Sequence, residues 1–133
     1  YYRQAVQGGL IGEEATRLDT DPAGYANSMN ASVAISDDAL IVAWEDGRAD
    51  AAQEGYNDVY YNFSRDNGTT WNALDLRVDS MEEGSAYKIN LNVALHRQEM
   101  MMSWTDGRNG TGDVYFHHMK VGEEATYQAA TVE

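Results

Sequence analysis

The chain has 133 residues, with 22 Asp+Glu against 9 Lys+Arg, a formal net charge of -13, 43% hydrophobic residues and no Cys. That length allows one domain of ordinary size, and this apolar fraction is enough to build a core. The charge argues against nucleic acid and anionic membrane surfaces as partners, no apolar run reaches the ~20 residues of a membrane span, and the lack of Cys removes disulfides, a thiol nucleophile and a thiolate metal site together. The chain opens on Tyr1 with neither an initiator Met nor a signal-peptide pattern, so a processed or partial polypeptide is expected.

An internal repeat organises everything that follows. Residues 17–48 align with residues 77–108 at a constant offset of 60, without a gap, and eleven of the 32 positions are identical. The identities include Arg17/Arg77, Asp19/Asp79, Gly24/Gly84, Asn30/Asn90 and the whole of Trp-x-Asp-Gly-Arg at Trp44–Arg48 and Trp104–Arg108. After each of these comes a linker and then Asp-Val-Tyr-aromatic, at Asp58–Tyr61 and Asp113–Phe116. The linker has nine residues in the first copy and four in the second, so the length change is confined to a loop.

In chain order, Tyr1-Tyr2 resembles Tyr60-Tyr61 and leads to Arg17-x-Asp19, which makes residues 1–19 the third and fourth strands (C and D) of a partial unit. Residues 20–79 form a full unit. Strand A is expected at about 31–36 and strand B at 39–46, where Leu40-Ile41-Val42-Ala43-Trp44 is apolar on both faces, as an inner strand should be. Strands C (58–65) and D (70–79) alternate with period two and have one wetter face. Residues 80–133 form a second full unit, with Met100-Met101-Met102 in the place of strand B. No segment has a sustained helical period with a cap.

Between strands C and D lies Ser64-Arg65-Asp66-Asn67-Gly68-Thr69-Thr70-Trp71, which fits Ser-x-Asp-x-Gly-x-x-Trp in full. Asp66 can accept bonds from the turn's own amides, Gly68 can take the positive φ that a tight reversal needs, and Trp71 can pack back over the hairpin. The pattern resembles the Asp-box, or bacterial neuraminidase repeat, of the sialidase-like β-propellers. Residues 42–48 and 58–64 are also similar to what precedes Asp-boxes in that family. The other two C-to-D turns, at Gln7-Gly8-Gly9 and Val121-Gly122-Glu123, lack the box.

The resemblance implies about two and a half four-stranded blades of an all-β propeller. That is too few to close a ring of 4 to 8 blades, so the expected partners are the remaining blades, in the same longer polypeptide rather than in identical copies. It implies a secreted or cell-surface protein, acting as a binding or scaffold module for glycan or protein. The alternative is a fragment of a sialidase-like glycoside hydrolase. Sialidases carry an Arg-Ile-Pro segment and a triad of Arg residues, but the only Pro here is Pro22, after Asp21, and Arg48 and Arg108 occupy equivalent repeat positions. No catalytic residue is therefore transferred, and the leaning is toward a protein that is not an enzyme.

The repeated residues Asp46, Arg48, Asp106 and Arg108 read either as a carboxylate and guanidinium at a sugar site or as a turn. In the turn reading, favoured because both copies retain it, Asp caps amides and Arg pairs with Asp58 or Asp113 across the loop. The carboxylates of Asp19, Asp21, Asp46, Asp50 and Asp58 have the chemistry for calcium, without the spacing of a dedicated loop. A solvated acidic rim is the favoured reading, and no cofactor is required. Adjacent His117 and His118 point to opposite faces of a strand and do not chelate one ion. Of the glycosylation sequons at Asn30, Asn62, Asn67 and Asn109, Asn62 falls in a strand and Asn67 in the turn. Ligand contacts are expected on the side of the longer B-to-C and D-to-A loops, with Tyr25, Asp50, Glu54, Tyr56, Tyr87 and Lys88 as candidates, because such loops on a rigid sheet carry binding.

Overall fold

The structure, a computed structural model, describes residues 15–50 and 54–125. Seven strands make two antiparallel sheets: β1 (Ser28–Ile35), β2 (Leu40–Asp46), β3 (Asp58–Ser64) and β4 (Leu76–Arg77) in that order, then β5 (Lys88–His96), β6 (Glu99–Asp106) and β7 (Asp113–Lys120). Among the described residues there is no helix, as the missing helical period led us to expect. Each sheet is a simple up-and-down meander, which short turns between period-two strands dictate.

The 60-residue offset is physical as well as textual. Residues Ser28–Ile35 of β1 have their counterparts in β5, and Leu40–Asp46 in β6. Each first strand is broken by an irregularity at the same place, between Met29 and Ser32 and between Ile89 and Asn92. At both breaks an Asn takes positive φ, Asn30 at 52° and Asn90 at 58°. Asn tolerates this left-handed conformation better than other non-glycine residues, which gives a physical reason for the identity at that position. The bulge moves the start of the strand, so β1 begins three residues before the expected strand A.

Strand D is much shorter than expected. Only Leu76 and Arg77 pair as a strand, opposite Tyr61 and Tyr60. The intervening chain still follows β3, since the Asn72 amide donates to the Phe63 carbonyl at 3.0 Å and the Val78 amide to the Val59 carbonyl at 2.8 Å. Between them the Asn72 side chain bonds Leu74 O and Asp75 is drawn to Arg48, which pulls the backbone out of register. In the second unit three strands are described, and the remainder of its expected fourth strand lies outside the described residues, as do the expected strand C and the turn at Gln7-Gly8-Gly9 of the partial first unit. Residues 122–125 lie against the first sheet: the Gly122 amide donates to the Tyr61 hydroxyl at 2.9 Å and the Ala125 amide to the Arg77 carbonyl at 2.9 Å.

The two sheets share one core, in which Ile41, Ala43, Val59, Tyr61 and Val78 cluster with Leu91, Met100, Met102, Trp104 and Met119. Alternation then assigns the other faces. On the far side of the first sheet Trp44 and Tyr60 pack with Leu18, Val42 and Trp71. Leu18 stands to Trp44 as Val78 stands to Trp104, one repeat apart. On the far side of the second sheet Val114 and Phe116 are 80% and 66% exposed. The stacking is thus directional, with the back of one sheet meeting the front of the next.

Candidate functional site

The repeated turn is built the same way twice. The Trp44 indole donates to Asp46 Oδ2 at 2.8 Å, and the Arg48 amide and guanidinium close on the same carboxylate at 2.9 and 2.6 Å. In the second unit the Trp104 indole, the Arg108 amide and the Arg108 guanidinium reach Asp106 at 3.1, 2.9 and 2.7 Å. Each guanidinium then lies over a tyrosine of the neighbouring strand, Arg48 at 4.0 Å from the Tyr60 ring centre and Arg108 at 3.9 Å from that of Tyr115. Burial alone would raise the Asp46 carboxyl, but the Arg48 side chain, the Trp44 indole and the Arg48 amide together hold it below the ordinary range.

This corrects the expected pairing. Arg48 bridges Asp46 and Asp75, not Asp58. Arg108 pairs with Asp106, while Asp113 accepts a bond from the Asn109 side chain. Asp58 is held instead by Arg77 at 3.3 Å, Lys88 Nζ at 3.1 Å and the Gly84 amide at 2.9 Å. The reason is geometric: an Arg two residues after its Asp closes on that carboxylate and lies along the neighbouring tyrosine, a path that in the first unit ends on Asp75 rather than on Asp58.

The Ser64–Trp71 turn is a closed hydrogen-bond ring. The Ser64 hydroxyl donates to Asp66 Oδ1 at 2.7 Å and accepts from the Gly68 amide at 2.7 Å, and Asp66 accepts the Thr70 amide at 2.8 Å and hydroxyl at 2.6 Å. Gly68 sits at φ 81°, and Trp71 packs on the Trp44–Tyr60 cluster. The Thr70 hydroxyl, the Thr70 amide and the Ser64 hydroxyl bring the Asp66 carboxyl down from 3.8 to about 2. A depressed carboxylate contributes stability that is full above its unfolded value and is lost as pH falls through the folded one. The Asp66→Ala variant should therefore melt below the parent at pH 6, and the gap between the two should narrow between about pH 4 and pH 2. A gap that stays constant to pH 2 would remove Asp66 from the turn's stability.

This turn lies at the same end as both short β-turns of the meanders, since the Ser36 hydroxyl donates to the Arg97 carbonyl at 2.6 Å and the Arg65 guanidinium to the Gln98 side chain at 2.8 Å. The opposite end carries the longer loops. There a cleft of about 470 Å³ opens between the two units, lined by Tyr25, Asn27, Met29, Asp50, Tyr56 and Ile89 among others.

The six expected ligand contacts separate on inspection. Tyr25, Asp50 and Tyr56 line the cleft together, and Tyr25 is 67% exposed. The Asp50 carboxylate organises its own loop, accepting the amides of Glu54, Gly55 and Tyr56 at 3.0, 2.8 and 3.2 Å. Glu54 is exposed but does not line the cleft. Tyr87 is half-buried, its ring laid over Gly107 so closely that a side chain there would collide with it. Lys88 is a correction: its side chain is fully buried, with Nζ on Asp58 and 3.7 Å from Asp79, because a lysine beside two buried carboxylates is drawn inward. Asn27, Met29 and Ile89 were not anticipated; Asn27 had a signal, since it stands where the second unit has Tyr87.

The acidic residues considered for calcium are committed elsewhere. Arg17 holds Asp19 and Asp21, Arg48 holds Asp46, and Arg77 and Lys88 hold Asp58. Among the described residues no three acidic or His side chains converge in a way that would hold a metal ion. Asn62 is buried, its amide donating to the Leu18 carbonyl at 3.1 Å, which leaves no room for a glycan at that sequon. No protein-family model matches the chain, and no curated protein or solved structure gives a significant match to it.

Proposed function

We propose that the chain is a run of blades from a β-propeller of the Asp-box type, secreted or displayed at the cell surface, which binds a glycan or a protein through the end that carries the cleft. The observation that carries this reading is the directional stack. Two sheets with the same Trp-x-Asp-Gly-Arg turn, the same bulge and the same Arg-x-Asp brace follow one another at a period of 60 residues, and the linker that follows the repeated turn, at the end with the cleft, has nine residues in one copy and four in the other. A rigid repeated scaffold with variable loops on one face is the usual arrangement for recognition. The exposed back of the second sheet, with Val114 and Phe116, is where a further blade of the same longer polypeptide would stack, since the corresponding face of the first sheet is covered by the second.

The hydrolase reading has no such support. Burial pushes the hydroxyls of Tyr60 and Tyr61 upward, Tyr61 to about 12, so neither of these two supplies a tyrosine nucleophile. Neither a metal nor a cofactor is called for by binding of this kind.

Alanine at Tyr25 and at Tyr56 should weaken binding of the native ligand while changing stability by no more than about 0.5 to 1 kcal/mol, as expected for loop positions away from the core. A glycan array probed with the parent and the two variants reads the first effect, and thermal melting the second. Ligand contacts mapped instead to Asp66 and Asn67 would place the functional face at the wrong end.

A further inference from the structure

The cleft opens beside the repeated turn of the first unit, whereas the groove beside the second unit's turn is filled, and the difference is a single position together with a loop. In the second unit Tyr87 covers Gly107 and its hydroxyl reaches toward Gly112, so the groove beside the Trp-x-Asp-Gly-Arg turn is filled by the protein's own aromatic ring. In the first unit Asn27 replaces that tyrosine and is exposed. A side chain placed on Gly47 would meet only the carbonyls of Asn27 and Tyr56, at 3.7 and 3.8 Å. The longer β2–β3 loop, held by Asp50, then brings Tyr56 to one wall, with Tyr25 on the other. The space vacated by one tyrosine is bordered by two others.

Charge decides what fits there. Among the described residues that line the cleft, Asp50 is the only charged one. The described cations at this end of the molecule are already bonded to carboxylates: Arg17 to Asp19 and Asp21, Arg48 to Asp46 and Asp75, Arg77 and Lys88 to Asp58, and Arg108 to Asp106. Arg65, Arg97 and Lys120 belong to the opposite end, beside the short turns. Among the described residues an anionic ligand would meet one carboxylate and no guanidinium that is not already paired, in a chain of net charge -13. A neutral saccharide meets tyrosine rings for its C–H faces, the Asn27 amide and backbone groups for its hydroxyls, and a volume within the roughly 300–1,000 Å³ range of small-molecule sites.

Building on the binding function proposed above, we infer that this cleft is a site for an uncharged saccharide, opened by Asn27 in the place of a tyrosine, and that it discriminates against acidic sugars. The test compares lactose and cellobiose with 3′-sialyllactose, which is lactose carrying an added carboxylate sugar, by following the backbone amide shifts of the cleft residues in the native full-length protein at low salt. A neutral disaccharide should shift the amides of Asn27, Gly47, Gly55 and Tyr56 saturably, with 3′-sialyllactose at least about tenfold weaker. The Asn27→Tyr variant, which rebuilds the second unit's arrangement, should lose about tenfold or more of the neutral affinity at an unchanged melting temperature. Should that variant fold poorly, Tyr25→Ala, on an exposed ring, must show the same loss. If 3′-sialyllactose bound as tightly as lactose at these amides, the charge preference would be overturned and a glycan site would stand. Saturable shifts from none of the three sugars would overturn the glycan reading itself, and unchanged neutral affinity in both variants would move the site away from the cleft.

Discussion

Replacing Asp58 by Ala is expected to cost about 3 to 5 kcal/mol, the range for breaking a buried ion pair from one side. Asp58 has no exposed surface, and neither does Lys88, whose ammonium it neutralises together with Asp79. The same carboxylate receives Arg77 and the Gly84 amide, so its removal leaves Arg77 and Lys88 to share Asp79 alone and takes the acceptor from a backbone donor between the sheets. Burial also pushes the Asp79 carboxyl upward, with Lys88 pulling against it, so Asp79 is a poor substitute for the lost charge. The double change Asp58→Ala with Lys88→Met removes one charge of each sign, and should be more stable than Asp58→Ala alone. Urea unfolding of the parent and the two variants checks this, and a double variant less stable than the single one would show that the cluster is not held by charge balance.

The second large effect is expected at Tyr61. Its ring is fully buried in the core shared by the two sheets, and its hydroxyl donates to the Glu123 carbonyl at 2.5 Å and accepts the Gly122 amide. Tyr61→Ala should cost about 3 to 5 kcal/mol through the cavity. Tyr61→Phe keeps the volume and leaves two backbone groups short of a partner, for about 1 to 3 kcal/mol. Hydrogen exchange distinguishes the two: the Phe variant should lose protection chiefly around residues 121–125, the Ala variant throughout both sheets. Equal losses everywhere in both variants would deny the hydroxyl its role in fastening that segment.

What the sequence disclosed and what it hid divide along physical lines. The repeat offset, the inner position of Leu40–Trp44 and the all-β class follow from periodicity, because side-chain alternation and burial are written residue by residue. The bulges at Asn30 and Asn90 were visible as an identity whose cause, a positive φ, appears only in the backbone. Strand D was overextended because Leu74, Leu76 and Val78 alternate as a strand should, while the demand of Arg48 on Asp75 is a contact 27 residues away in sequence. Lys88 read as a loop cation for the same reason: its two carboxylates, Asp58 and Asp79, come from other strands and turns of the chain. Tyr25 and Tyr56 were reached by loop length and composition. Asn27 was overlooked, since an exposed Asn carries no chemical signal until it is set against the tyrosine that fills its place in the next unit.

The most direct measurement on the stacked-blade reading is the native mass of the protein as isolated from its source, by native mass spectrometry beside a denatured control. A single polypeptide equivalent to about four or more of these 60-residue units is the expected result, the least that closes a ring. A stable, cooperatively unfolding monomer of 14.8 kDa would contradict it, because the exposed face bearing Val114 and Phe116 would then need no further blade to cover it.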